Sequence, residues 1–390
     1  MPATDPLAPP ASTTGPIPTA LPAYARPRAP VGSLVAVVVG ICAAAMAVMW
    51  VVSYLVTVLG VVGVAVNGLV ALVPLVAVLA VVRWVDRWEP EPFIARAFAF
   101  LWGAGVSIFA ALVVDQTLNE YGNRIGVTRD QLFTITVQSP IVEEIAKGVG
   151  VLIIFLLAQR TFDGPVDGVV YAATIAAGFA FVENIQYFGL ALVGGGEADL
   201  AYTFYVRGIL SPFAHLVFTS CTGIALGIAV RTRRSRLGTA ALFAAGLVAA
   251  ILLHAGFNLG SAFDESGAFF FYLIVELPIF AVFTVFVLFA RRRDAALTYE
   301  NLSLYARAGW FTAAEVDMLG TVAGRRQARR WAKRRGGAAR KAVRRFIRDA
   351  TALAYARRRI VTGRGRERAR QDERRLLRAV TADREAVLRS

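Results

Sequence analysis

The sequence predicts an all-α polytopic membrane helix bundle with about eight transmembrane helices. Three observations carry that prediction. Hydrophobic residues make up 57% of the 390 residues, which exceeds the usual globular share. They gather into eight long apolar runs, and ~20 such residues suffice for one helical crossing. The few ionisable side chains inside those runs are clustered, as expected where each must find a partner away from water.

Residues 1–30 hold nine of the sixteen prolines, interspersed with Ala, Thr and Ser. Such a segment has little to bury and is expected to be a disordered cytoplasmic head. No basic region and short apolar core open the chain, so the first apolar run is expected to act as an uncleaved anchor. The eight runs lie at about 34–58, 61–82, 94–114, 139–158, 166–193, 208–230, 239–262 and 269–290. They define an expected transmembrane domain over residues 31–290. Residues 291–390 follow as a basic cytoplasmic tail, partly amphipathic and helical.

Arginine placement orients the spans. With the N-terminus inside, the cytoplasmic segments hold Arg26, Arg28, Arg83, Arg87, Arg96, Arg160, Arg231, Arg233, Arg234 and Arg236, against Arg124, Arg129 and Arg207 outside. That asymmetry places both termini in the cytoplasm by the positive-inside rule. The net charge of +15 belongs to the tail, whose 28 Lys/Arg and 10 Asp/Glu sum to +18 and leave −3 for the remainder. Tail segments mix arginine with Trp331, Phe346, Ile347, Leu353 and Tyr355 at roughly helical spacing. A solvated tail, or amphipathic helices on anionic lipid, explains this better than nucleic-acid binding, for which no motif is present. Arginine greatly outnumbers lysine, and with abundant Ala, Val and Gly this points to a GC-rich bacterial genome. Cys42 and Cys221 both lie in apolar runs, so neither a disulfide framework nor a thiolate metal site follows from them.

The chemistry concentrates in the fourth to seventh runs. The chain's two histidines, His215 and His254, both lie in apolar sequence. Glu143, Glu144 and Lys147 share the fourth run, where i,i+3 and i,i+4 spacing lets Lys147 neutralise one carboxylate and leave the other for chemistry. Replacing Lys147 is then expected to be milder than replacing a glutamate or histidine. Glu183 and Asn184 lie in the fifth run, and Thr219 lies one turn after His215. His254 and Asn258 are i,i+4 and share a helix face. Carboxylates, imidazoles and a carboxamide can hold a divalent cation and activate a water, or activate water without a metal. Glu276, just before Pro278 in the eighth run, is a fourth intramembrane acid, expected at a kinked helix rather than in the site. Only one lysine opposes these acids, so another positive group or protonation must balance them. Each histidine alone could equally be an inter-helix hydrogen bond, but the set resists that reading. The spacings Gly223/Gly227 and Gly256/Gly260 are expected to allow close helix packing around both histidine helices.

These residues resemble the PrsW family of intramembrane proteases, distant relatives of the CAAX prenyl protease and Abi group. The resemblance rests on EEIAK at Glu143–Lys147, DRWEPEP at Asp86–Pro92, the segment ending in FVEN at Glu183–Asn184, His215 with Thr219, and HAGFN at His254–Asn258. It covers roughly residues 80–290 and leaves the head and tail unmatched. It implies cleavage of a membrane-anchored protein substrate within the lipid bilayer, an anti-sigma factor in the family's stress-signalling role. Glu143 or Glu144 would then be the general base and Asn258 an oxyanion donor. His215, His254 and Glu183 would be ligands of a divalent metal, with zinc the expected ion. The related prenyl proteases imply a metal-free, glutamate-activated version instead. The competing class is a proton- or metal-coupled transporter, which also places acids and histidines near the midplane. No paired repeat of the transporter kind is visible. A scaffold recruiting partners through the tail would leave the intramembrane groups unexplained.

Overall fold

The computed structural model describes residues 31–390 except 128–129, 159–160, 233, 261–262, 264 and 364. The Pro-rich head, with Arg26 and Arg28, lies outside the described residues, as do Arg129, Arg160 and Arg233 of the topology argument. Among the described residues all regular structure is helical. In chain order the helices are α1 (Val31–Val85), α2 (Phe93–Leu101), α3 (Ile108–Arg124), α4 (Gln131–Phe133), α5 (Ser139–Leu157), α6 (Pro165–Phe204) and α7 (Ala214–Arg231). There follow α8 (Arg236–Gly260), α9 (Glu265–Phe271), α10 (Leu277–Arg307), α11 (Ala313–Gly320), α12 (Val322–Arg335), α13 (Gly337–Val361) and α14 (Arg366–Leu388). Wider π-helical turns occupy Trp102–Ser107, Thr134–Gln138, Tyr205–Leu210 and Tyr272–Glu276.

This is an all-α polytopic membrane bundle. Among the described residues five stretches, not eight, are long and apolar enough to cross a membrane: Val39–Val85, Phe93–Arg124, Pro165–Arg231, Arg236–Gly260 and Gly267–Arg307. The difference has two physical sources. Pairs of expected spans fall within one stretch around Gly60 and Gly196, whose φ values of 71° and 74° kink the chain between two helices without ending the helical run. The run at 139–158 is helix α5, but Glu143, Glu144 and Lys147 make it too polar to count as an apolar span.

The chain divides into one unit ending at Val287 and another running from Leu288 to Ser390. In the first, α6 and α7 are the buried centre. Gly168 and Gly223 bring their backbones together: a Cβ on Gly168 would lie 2.0 Å from the Gly223 carbonyl oxygen, and one on Gly223 would lie 2.1 Å from that of Gly168. Gly227 packs equally closely on Pro165. Close approach therefore holds at Gly223/Gly227. It does not hold at Gly256, where nothing lies within 4 Å of an added Cβ. On α5, Gly150 makes room for the Trp102 ring, whose Nε1 donates to the Ala146 carbonyl at 2.9 Å. This fixes α5 against the π-helical turn that follows α2.

The segment between α1 and α2 is tied down by its acids. Asp86 Oδ1 accepts from the Glu91 amide at 2.9 Å, and Arg96 donates to Asp86 Oδ2 at 2.9 Å. Tyr171 of α6 donates its hydroxyl to Glu91 Oε2. Burial pushes the Glu91 carboxyl up to about 7.

The second unit has its own core. Leu302, Leu319, Phe346, Leu353 and Leu376 from α10, α11, α13 and α14 pack together. Buried Arg325 donates to the Leu319 carbonyl at 2.7 Å and to Thr351 Oγ1 at 2.6 Å. Phe346, Ile347, Leu353 and Tyr355 are thus covered by neighbouring helices, and Trp331 packs at the core's edge. A solvated or flatly membrane-lying tail would leave those side chains without these partners.

Two outcomes follow. Gly168→Leu, which must force the two helix backbones apart, should destabilise the protein by ~1–3 kcal/mol or more. Gly256→Ala, with space around it and better helix propensity, should be neutral or stabilising by up to ~1 kcal/mol. Thermal unfolding in detergent checks the ranking. The raised Glu91 pKa also sets a sign: its contribution to stability is fully present below 4.5 and is lost as pH rises through about 7. Glu91→Gln should flatten the pH dependence of the unfolding temperature in that window.

Candidate active site

Four helices bring the polar residues to one place. Lys147 of α5 is fully buried, at 0% exposure. Its Nζ lies 2.8 Å from Glu144 Oε1, 3.3 Å from Glu143 Oε2 and 3.1 Å from His215 Nδ1. The ammonium also sits 3.8 Å from the centre of the Phe179 ring, a cation–π contact. Lys147 therefore bonds both carboxylates rather than only one, and reaches the histidine of a third helix. It is a structural hub, not a peripheral tuning group.

The two adjacent glutamates have different surroundings because consecutive helical residues diverge by about 100°. Glu144 is sealed. Its Oε1 lies 3.1 Å from His254 Nδ1, and its Oε2 accepts from Thr219 Oγ1 at 2.9 Å. Glu143 instead lines a cavity of 610 Å³, together with Glu183, Arg207, His215, His254 and Asn258. His254 Nε2 lies 3.8 Å from Glu143 Oε2. The two imidazoles stand perpendicular, with ring centres 5.0 Å apart, and Phe218 stacks on His254.

Glu183 of α6 faces His215 Nε2 at 2.8 Å. The same carboxylate accepts from Arg207 Nη2, while Arg207 Nε donates to Asn184 Oδ1 at 2.9 Å. The Arg207 guanidinium also stacks 4.1 Å over Tyr187. Since Lys147 can only donate, His215 Nδ1 accepts and its Nε2 carries the hydrogen toward Glu183. Asn258 Nδ2 donates to the Ile135 carbonyl at 2.8 Å. Glu276 lines the same cavity, although the sequence placed it outside the site.

Arg207 is the residue of the candidate site that sequence reasoning missed. Counted along the chain it is one more charge in an outer loop. The available signal was charge balance, because the intramembrane acids outnumbered the one lysine and Arg207 stands eight residues before His215.

Glu143, His215 and His254 each offer a ligand atom within 4.8 Å of the others, forming a buried cluster able to coordinate a metal. One carboxylate and two imidazoles suit a borderline divalent cation. His254 is arranged as a ligand should be, with Nδ1 held by Glu144 and Nε2 turned toward Glu143. His215 has both nitrogens engaged, so taking up a cation there exchanges its contact with Glu183 or with Lys147.

Comparison with known proteins finds homology over part of the chain. The model of the PrsW family intramembrane metalloprotease matches residues 91–283. That region is homologous to the PrsW family. It holds every residue of the cluster, and leaves the second helical unit outside. Protease PrsW of Geobacillus kaustophilus (strain HTA426) is 29% identical over 154 residues, covering 38% of this chain and 61% of the relative. Protease PrsW of Clostridioides difficile (strain 630) is 29% identical over 143 residues, covering 36% of this chain and 57% of that relative. The chain thus spans about three fifths of the length of these PrsW relatives. No solved structure matches it. Homology and helix content together make this a bacterial, multi-pass membrane protein with an intramembrane protease-like fold.

Lys147→Met leaves two buried carboxylates without their shared cation. It should destabilise the protein by ~3–5 kcal/mol, as removal of one partner of a buried pair does. Adding Glu144→Gln should recover part of that loss, because it removes one stranded charge. Thermal unfolding of the two variants in detergent checks the sign. A mild Lys147→Met, or a double variant worse than the single, contradicts the hub role.

Proposed function

We propose that this chain is an intramembrane endopeptidase that hydrolyses a peptide bond of a membrane-spanning protein, with zinc as its metal. The anti-sigma class of substrate rests on the family resemblance alone. The carrying observation is the Glu143/His215/His254 cluster on the wall of a 610 Å³ cavity. In this reading residues 31–290 form the protease body with eight crossings and both termini cytoplasmic.

His215, His254 and Glu143 would hold the cation. When bound, zinc polarises a carbonyl and lowers the pKa of water. The chain's own residues supply the rest. Glu143 is the member of the glutamate pair that reaches the cavity, so it takes the proton of the attacking water and passes it to the leaving amine. A carboxylate has two oxygens, one for the cation and one for the proton. Glu144 does not touch the reacting atoms; it fixes His254 through Nδ1 and shares Lys147 with Glu143. Glu183, held by Arg207, orients His215 from the opposite side. Asn258, on the cavity wall, would offer its side-chain amide to the tetrahedral oxyanion. Burial strengthens each of these contacts relative to water.

The test is cleavage of a single-span reporter by purified protein in liposomes. Glu143→Gln should lower the rate by ~10²–10⁴-fold, and a Glu143/His254 double variant should be little worse than the worse single. A chelator should stop cleavage and added zinc should restore it. Full activity of Glu143→Gln sinks the reading. Activity that survives chelation but still needs Glu143 assigns the metal-free, glutamate-type mechanism instead.

A further inference from the structure

We propose that Glu276 selects the substrate: the cavity takes a peptide with a lysine or arginine side chain two or three residues from the bond that is cut. This rests on the reading of the cavity as the seat of peptide hydrolysis. Three carboxylates line that cavity, those of Glu143, Glu183 and Glu276. Two have a cation of the protein beside them. Lys147 Nζ lies 3.3 Å from Glu143, and Arg207 holds Glu183. Glu276 is different. Among the described residues no ion pair or hydrogen bond reaches its carboxyl group, and no cation stands beside it. Residues 237–290 contain no Lys or Arg, so the chain around Glu276 supplies none. A carboxylate alone in an apolar wall is costly, and a cation beside it offsets the cost. The protein meets that demand at Glu143 and Glu183 and leaves it open at Glu276, where a substrate cation can meet it.

The backbone presents Glu276 to the cavity. It ends the π-helical turn Tyr272–Glu276, two residues before Pro278. Of the four π-helical turns among the described residues, three put side chains on this wall: Ile135 from one, Arg207 from the next, and Tyr272 with Glu276 from the last. Such turns interrupt regular helix and recur where side chains must be re-aimed at a site. Gly260, the last residue of α8, sets the depth. A Cβ built there would lie 2.8 Å from the Phe271 ring and 3.4 Å from Glu276 Oε1. The Glu276 carboxyl group therefore stands beside the end of α8, six residues beyond His254. Six helical residues rise about 9 Å. An extended peptide covers that distance in two or three residues, at about 3.3 Å each. Phe263, Phe269 and Tyr272 line the cavity as well. Aromatic faces suit both the methylene stem and the charged head of lysine or arginine. Membrane-spanning segments carry such residues just beyond their apolar stretch, so a single-span substrate has the cation to offer.

The test uses full-length Glu143→Gln protein in uncharged detergent. That substitution removes the general base, and also the other carboxylate on the wall that could attract a cation. Fluorescent single-span peptides are titrated in and binding is read by anisotropy. They carry Lys, norleucine or Glu singly at each position of the span boundary. At one or two positions Lys should bind at least ~10-fold more tightly than norleucine, as a charge-assisted hydrogen bond provides. Glu there should bind no better than norleucine. Adding Glu276→Gln should bring Lys and norleucine within about twofold while leaving the norleucine affinity unchanged; adding Glu276→Asp should keep part of the preference. Gln retains the shape and the hydrogen-bonding capacity, so only loss of charge explains that pattern. The wild type should cut the preferred peptide two or three residues from its lysine, as located by mass spectrometry. Equal binding of Lys and norleucine at every position, a preference that survives Glu276→Gln, or a cut more than four residues from the lysine overturns the proposal. The Lys-to-norleucine comparison is made within one protein, so it decides the matter even where the Gln variant fails to fold. A preference that needs Glu276, without any cleavage by the wild type, removes the protease reading and keeps the cation site; cleavage without the preference does the reverse.

Discussion

One buried ammonium organises the membrane-embedded site. Lys147 Nζ lies within 3.3 Å of Glu143, Glu144 and His215, which come from two helices, and against Phe179 of a third. A lone carboxylate in hydrocarbon carries a large desolvation cost, and two adjacent ones would also repel. A cation between them removes both problems and fixes the direction of each carboxylate. Glu144 can then be turned away to hold His254 and Thr219, while Glu143 remains on the cavity wall. A second cation, Arg207, does the same for Glu183. The cluster is thus three carboxylates against two cations, with two imidazoles between them.

That arrangement depends on backbone proximity as much as on charge. His215 reaches Glu183 and Phe179 of α6 because α7 lies directly on α6 at Gly168 and Gly223, where no Cβ would fit. The Trp102 ring in the space left by Gly150 holds α5 in place from its other side. Small residues do here what they do in membrane bundles generally: without a hydrophobic drive between helices, close packing and polar contacts supply the association. The glycines set the spacing and the ion pairs set the register.

Much of this was legible in the sequence, and the failures have physical reasons. The apolar runs marked the helices because spanning segments need uniform hydrophobicity. Their number was harder, since Gly60 turns the chain inside apolar sequence with no polar break to mark it, while the polar turn around Gly196 lies inside one continuous helical run. Glu143, Glu144, Glu183, His215 and His254 stood out because ionisable groups are rare where they sit. The division of labour within the glutamate pair did not, since it depends on which of two directions faces His254. Arg207 was hidden by its position at the end of a run, where arginine is ordinary. In the second helical unit the amphipathic spacing was visible, but a periodic apolar face does not say whether lipid or another helix covers it. Arg325, buried against Leu319 and Thr351, shows that helices cover it here.

Glu143, His215 and His254, oriented by Glu144 and Lys147, form a buried cluster able to coordinate one metal. Its most direct measurement is the metal content of the purified full-length protein after incubation with zinc and removal of the excess. One zinc per chain is expected in the wild type, with loss of that zinc in His254→Ala and retention in Thr219→Val, whose hydroxyl donates to Glu144. A wild type that holds no zinc, or a His254→Ala variant that holds as much as the wild type, would contradict it.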